Sequence, residues 1–263
     1  MAELLEVAEL RKGFSRGSQW CAVLDGASFK VHPAEVIAIF GSRLVGKTTL
    51  LRLVAGIEMP DGGKVRLDGE DLTRLSDKRR SNLLGHDVIW LDRDGPALDV
   101  EVSRYVGWPL AMQGRGRRDV ERRAAQVLEQ VGASGCATQR WCEISNWQRV
   151  LVGLARAFAD RPRLLVIDDL LDALGPRHTQ EASDMLRSLL EGAQPGCCVL
   201  MSCSDMESAL FADRVLSLNA GVLQPLSGQL SDGRGNGGPS DGAEVIPFPL
   251  RDETRESRSA GHP

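Results

Sequence analysis

Glu35-Val36-Ile37-Ala38-Ile39-Phe40-Gly41-Ser42-Arg43-Leu44-Val45-Gly46-Lys47-Thr48-Thr49-Leu50-Leu51 is the run from which the rest of the chain can be read. The stretch Glu35 to Phe40 is nearly all apolar and rich in β-branched residues, the pattern of a strand buried on both faces. Gly41 to Thr48 then fits G-x4-G-K-[ST], and from Lys47 to Ala55 the pattern turns helical. Strand, loop and helix in that order are the context in which this spacing holds a nucleotide. Backbone N–H groups of Ser42, Arg43, Leu44, Val45 and the helix start, through Thr49, would surround the β-phosphate. Lys47 would neutralise β/γ oxygens as a point charge, and Thr48 would offer its hydroxyl to Mg²⁺.

A second run answers the first. Leu164-Leu165-Val166-Ile167 is wholly apolar and ends in Asp168-Asp169. On its own Asp168 could equally be a turn or helix cap. Beside a phosphate loop, a carboxylate at the C-terminal end of a buried strand holds the magnesium hydration shell.

Outward from these two runs, Leu5–Leu10 and Ala27–Val31 read as short strands, broken by Gly13, Gly17, Asp25-Gly26 and Pro33. Another strand is expected around Lys64–Leu67 after the turn Pro60-Asp61-Gly62-Gly63. Leu98–Gln148 reads as helical; Val120, Ala124, Val127, Leu128 and Val131 form a stripe of 3.6-residue period. A helix over Leu151–Phe158 stops at Arg161-Pro162, and strands follow at Val199–Met201 and Val215–Leu218. Strands alternating with helices imply a parallel sheet with crossover helices. The expected organisation is one α/β domain over 1–224 with an inserted helical lobe at about 98–148. Residues 227–242 hold six glycines among sixteen, so 225–263 reads as a mostly disordered tail in which Val245-Ile246-Pro247-Phe248 could dock.

Composition narrows the class further. Lys plus Arg is 32 and Asp plus Glu is 36, so 32 − 36 gives a net charge of −4. That disfavours a basic nucleic-acid binder. No apolar run approaches the roughly 20 residues that span a bilayer, and the start MAELLEVAELRKGF lacks the basic end of a secretory signal. The six cysteines, Cys21, Cys136, Cys142, Cys197, Cys198 and Cys203, contain no C-x-x-C pair and read as buried reduced thiols in a cytoplasmic protein.

With these motifs in place, the chain from about Leu4 to Leu223 resembles the nucleotide-binding subunits of ABC transporters. Leu24-Asp25-Gly26-Ala27-Ser28-Phe29-Lys30-Val31 is similar to the family's lead-in to the loop, and Thr49-Leu50-Leu51-Arg52 and Gly56 follow as in the family. Gln148-Arg149-Val150 and Leu154-Ala155-Arg156-Ala157 resemble the helix after its signature motif. Ala212-Asp213-Arg214-Val215-Leu216 and Gly221 resemble the segment after its switch histidine. Trp108-Pro109-Leu110 is similar to a piece common in the lipoprotein-release and macrolide-export branch and in phosphonate-utilisation relatives. The resemblance implies an ABC-type P-loop NTPase with a parallel-sheet core, an N-terminal antiparallel β-subdomain and an inserted helical lobe. It further implies ATP and Mg²⁺ as ligands, a second nucleotide-binding subunit in a homo- or heterodimer, and a transmembrane permease partner. The place of action would be cytoplasmic, peripheral at the inner face of the cell membrane. Phe14 occupies the place of the aromatic that stacks on adenine, unless it is a core residue.

Several positions depart from the family pattern. Leu44 stands where the loop usually has glycine; if that position needs positive φ, a Leu costs about 1–2 kcal/mol. The signature LSGGQ falls at Cys142–Asn146 or at Ile144-Ser145-Asn146-Trp147, and neither placement supplies paired glycines. Ile144 or Trp147 would obstruct a phosphate there, Glu143 could face it with a negative charge, and Ser145 and Asn146 would still cap the next helix. The catalytic glutamate is Asp169, one methylene shorter, and a general base contributes about 10²–10⁴ in rate. The switch histidine is Ser204, the Q-loop glutamine is Asp92, and the D-loop's Leu-Asp is Leu174-Gly175. Binding groups persist while cutting groups are altered, which implies ATP–Mg²⁺ binding with slow or absent hydrolysis. A hetero-partner, or a role for ATP as a structural clamp, is then expected; the alternatives are a non-transport regulatory or assembly module that uses ATP binding as a switch, and an active ABC ATPase with divergent motifs. The arginines of 114–123 read as a solvated helix start or as a contact for anionic lipid. Trp90, Tyr105 and Trp108 fall where the family seats its partner's coupling helix, or else in the core.

Overall fold

The computed structural model describes residues 3–226, apart from 18, 173, 193–195 and 210–211. The chain runs through β1 (Leu5–Arg16), β2 (Gln19–Val31), β3 (Val36–Phe40), α1 (Lys47–Val54), β4 (Gly62–Leu67), β5 (Glu70–Asp71), α2 (Asp77–His86) and β6 (Val88–Leu91). It continues through α3 (Val102–Met112), α4 (Arg117–Gln130), α5 (Asn146–Ala159), β7 (Leu164–Ile167), α6 (Pro176–Gly192), β8 (Cys198–Cys203), α7 (Met206–Ala209), β9 (Arg214–Asn219) and β10 (Val222–Pro225).

Two sheets result. The antiparallel one has the order β2-β1-β4-β5; the six-stranded one has the order β10-β9-β3-β8-β7-β6. In the larger sheet β9, β3, β8, β7 and β6 are parallel, and only β10 runs against its neighbour. The central strands β3, β8 and β7 are buried on both faces, as parallel strands covered by helices must be. Ile37, Ile39, Leu164, Val166 and Leu200 join a core with α1 and the antiparallel sheet. Val36, Ala38, Leu165, Ile167, Val199 and Met201 join a second core with Val106, Leu110, Leu128 and Leu154 of α3, α4 and α5. The helical insertion therefore shares its core with one face of the sheet. The span expected for the lobe, 98–148, holds α3 and α4 and ends in the first turn of α5.

Three expectations need correction. Gly13 and Asp25-Gly26 do not break the N-terminal strands: Gly13 lies inside β1, and Arg11 pairs with Asp25 across a register shift in which Gly26 takes a φ of 80°. A bulge re-aims an antiparallel pair without ending it, and glycine accommodates the left-handed turn. Cys21 and Cys142 are exposed; only Cys136, Cys197, Cys198 and Cys203 are buried. Burial drives the Cys197 and Cys203 thiols up to about 12 and raises Cys198 as well. Pro225, expected to open the tail, ends β10. Residues 227–263, with Val245-Ile246-Pro247-Phe248, lie outside the described residues.

Candidate functional site

The order β3-β8-β7 decides where the chemistry gathers. The three strands are parallel, so their C-terminal ends share one edge, the edge at which α/β sheets bind ligands. Phe40 pairs with Cys203 and Ile167 with Met201. Gly41, Ser204 and Asp168 thereby become neighbours although the sequence separates them widely.

The loop after β3 has the strained geometry its glycines serve. Gly46 sits at φ 111°, and a Cβ there would lie 2.6 Å from Val23 Cγ1. Leu44 has a φ of 65° and is fully exposed, so the left-handed cost expected for it is paid here. No side chain caps α1 at Gly46, and the first intrahelical bond is donated by Leu50 to Gly46 O. The amides of Lys47, Thr48 and Thr49 therefore have no intrahelical acceptor, the condition under which a helix start takes an anion. A cavity of about 540 Å³ lies against them, lined by Arg43, Leu44, Gly46, Lys47, Thr48, Thr49, Val23, Arg93, Asp169 and Asp172.

Lys47 is buried, at 5% exposure, and its ammonium donates to Gly41 O at 2.8 Å, Ser42 O at 3.1 Å and Ser204 Oγ at 2.9 Å. A buried charge persists only when bonded in this way. Ser204 thus meets the loop lysine. Its own amide donates to Asp172 Oδ2 at 3.0 Å, and its hydroxyl also bonds to that carboxylate. Asp168 is 8% exposed and takes hydrogen bonds from the Thr48 and Ser202 side chains, the latter at 2.8 Å. Ser202 Oγ also accepts the Asp169 amide at 2.8 Å. Burial raises the pKa of Asp168, and the charge of Asp169 adds to it, while the Ser202 and Thr48 bonds oppose the rise. Burial likewise raises Asp172, helped by the charges of Asp205 and Asp169. The paired hydroxyl and carboxylate of Thr48 and Asp168 are hard oxygen donors, which suits Mg²⁺.

Other expected site residues lie elsewhere. Asp92 does not line the cavity: its carboxylate accepts Trp90 Nε1 at 2.8 Å, Asp94 N at 3.1 Å and Gly95 N at 3.3 Å. Phe14 is 40% exposed on β1, so it is no core residue; Lys12 Nζ lies 5.4 Å from its ring centroid. Ser42 and Val45 belong to the loop but do not line the cavity. Ser202, Asp172 and Arg93 were not foreseen, because no spacing in the sequence ties them to the loop.

Away from the cavity, Ser145 is the N-cap of α5. Its hydroxyl accepts the Gln148 amide at 3.3 Å, and Gln148 Oε1 accepts the Ser145 amide at 2.9 Å. Ile144 is buried in the core, so it does not obstruct a phosphate; Glu143 accepts the Arg140 amide; Trp147 stacks on His178 at 4.8 Å. Trp90, Tyr105 and Trp108 line a groove of about 470 Å³ with Pro109, Met112 and Arg156. Tyr105 is buried against Trp141 while Trp108 is 43% exposed, so the trio divides between core and surface. Of the arginines in 114–123, Arg117 and Arg122 pair with Glu121 and Asp119, and Arg123 fastens α4 to the carbonyls of Phe158 and Ala159.

A glycine-bounded loop with a buried lysine, a threonine beside a strand-end aspartate and an open cavity over a helix start define a P-loop nucleotide-binding protein. The family described as ABC transporter matches residues 24–171. The chain is 30% identical over 221 residues to the lipoprotein-releasing system ATP-binding protein LolD of Ruegeria sp., covering 83% of this chain and 96% of that protein. It is 29% identical over 220 residues to the methionine import ATP-binding protein MetN of Corynebacterium diphtheriae, covering 83% of this chain and 64% of that protein. The chain thus spans under two thirds of the methionine-import relatives. Among solved structures, the dimeric ATP-binding cassette MJ0796 bound to ADP and Pi superposes with a TM-score of 0.76 at 21% identity, covering 86% of this chain and all of that one. The chain belongs to the ABC transporter family and carries its ATP-binding fold. Among the described residues no helix is long and apolar enough to cross a membrane.

Proposed function

We propose that the chain is the ATP–Mg²⁺-binding subunit of a membrane transport complex and that it hydrolyses ATP slowly or not at all by itself. The observation that carries the reading is the loop site: Lys47 and Thr48 line one cavity and Asp168 is bonded to Thr48 beside it, while the histidine and glutamine expected there are Ser204 and Asp92. The loop amides and Lys47 hold the β- and γ-phosphates, and Thr48 and Asp168 hold Mg²⁺, which screens phosphate charge when bound. Phe14 stacks on the adenine. Asp169, which lines the cavity, is the carboxylate available to orient water; its shorter side chain and the missing imidazole support slow turnover.

Dimeric assembly of the related MJ0796 cassette supports a second nucleotide-binding subunit as partner. The relatives' names, which cover methionine import, lipoprotein release and sulfate import, support a permease partner and a position at the inner face of the cell membrane. The test is ATP binding by calorimetry and steady-state turnover of the purified chain, with Lys47→Ala as control. Binding that Lys47→Ala abolishes, with turnover near background, is the expected result. Rapid turnover lost in Lys47→Ala would establish a competent ATPase instead.

A further inference from the structure

We infer that Arg93 binds the terminal phosphate of the nucleotide and that Asp92 is the residue that positions it. The inference rests on the reading of Gly41–Thr48 as a nucleotide site and adds to it a specific ligand for the γ-phosphate.

Asp92 and Arg93 follow β6, the strand next to β7. The Asp92 carboxylate is fully engaged: one oxygen accepts the Trp90 indole, and the other accepts the amides of Asp94 and Gly95. Those bonds tie down the chain on both sides of Arg93. They commit residue 92 to the groove that holds Trp90 and Trp108, while residue 93 lines the phosphate-loop cavity with Lys47, Thr48 and Asp169. Arg93 is exposed there, and among the described residues it has no hydrogen bond or ion pair.

The charge balance of the cavity calls for such a group. Asp169 and Asp172 line it, and both would repel a terminal phosphate. Each of the Lys47 donors is already shared with Gly41 O, Ser42 O or Ser204 Oγ, and Ser204 offers no positive charge. A guanidinium presents a rigid planar fork of donors that matches two phosphate oxygens at once, and it stays charged at any working pH. Arg43 also lines the cavity, but it belongs to the loop that surrounds the β-phosphate. Arg93 comes from the segment after β6, a strand that β7 and β8 separate from β3 and its loop, and so can act on a different phosphate.

A contact to the terminal phosphate must distinguish a triphosphate from a diphosphate. The experiment is calorimetry with Mg²⁺ on the whole chain, using the β,γ-imido analogue of ATP and, separately, ADP. The wild type is compared with Arg93→Ala, Arg93→Lys, Asp92→Ala and Lys47→Ala. Arg93→Ala is expected to weaken the analogue about 10- to 100-fold, the range for a lost charged hydrogen bond, and to leave ADP affinity unchanged. Arg93→Lys restores part of the loss. Asp92→Ala lowers the ratio of analogue to ADP affinity in the same direction, a readout that mere loss of stability does not move. Equal affinities of Arg93→Ala and wild type for the analogue would overturn the assignment while leaving the nucleotide site intact, provided Lys47→Ala still loses both ligands. A wild type that binds neither ligand would overturn the assignment and the nucleotide reading together.

Discussion

Asp168 and Lys47 show how two buried charges are kept at one strand edge. The lysine is held by three acceptors, and the aspartate by two hydroxyl donors. Burial still raises the Asp168 pKa, so the folded chain takes up this proton more readily than the unfolded one. The sign follows by linkage. The stabilisation from that proton is complete below the ordinary aspartate pKa of about 4 and is lost as pH rises through the raised folded value. Above it the ionised carboxylate is a cost that a bound cation offsets. Asp168→Asn is therefore expected to raise the melting temperature of the metal-free protein near neutral pH. The gain should shrink as pH falls through the raised pKa and vanish below the ordinary aspartate value. Added Mg²⁺ should stabilise the wild type and not the variant. Melting curves across this pH range with and without Mg²⁺ check all three outcomes; a variant less stable at neutral pH would contradict the burial argument.

At the scale of elements, α5 is started by its own residues. Ser145 and Gln148 exchange hydrogen bonds across the first turn, a capping box that needs no ligand. Ser145→Ala is expected to cost about 1 kcal/mol in urea denaturation, the usual worth of a serine cap. Nucleotide affinity of the isolated chain should not change, because Ser145 lies outside its cavity. Elements were legible where periodicity was strong: β3, β7 and the stripe of α4 follow their apolar patterns. α2 was not legible because Asp77–His86 contains only Leu83 and Leu84 as large apolar residues; a serine cap at Ser76 begins it. β6 is four residues long, too short for periodicity to separate strand from helix. The N-terminal strands looked shorter than they are because bulges interrupt their alternation.

For the whole molecule, the larger sheet divides two cores, and the helical insertion packs on the face away from the antiparallel sheet. The groove with Trp108 and Met112 at its surface lies between this insertion and the β6 segment. If it seats the membrane partner, Trp108→Glu should release the chain from the membranes of cells that make the complex. Its affinity for ATP should stay the same, as fractionation and calorimetry would show. Retention of the variant at the membrane would place the partner elsewhere. What the sequence by itself determined was local: a phosphate loop between a buried strand and a helix, and a carboxylate ending a second buried strand. Both are contiguous patterns whose chemistry travels with their spacing. Only the tertiary structure decided that Ser204 reaches Lys47, that Asp92 is spent on the Trp90 indole and its own turn, and that Arg93 enters the cavity. The reason is strand order: β8 lies between β3 and β7, and β6 lies beyond them. Neighbours across parallel strands are set by crossover connections and register, which no local periodicity encodes.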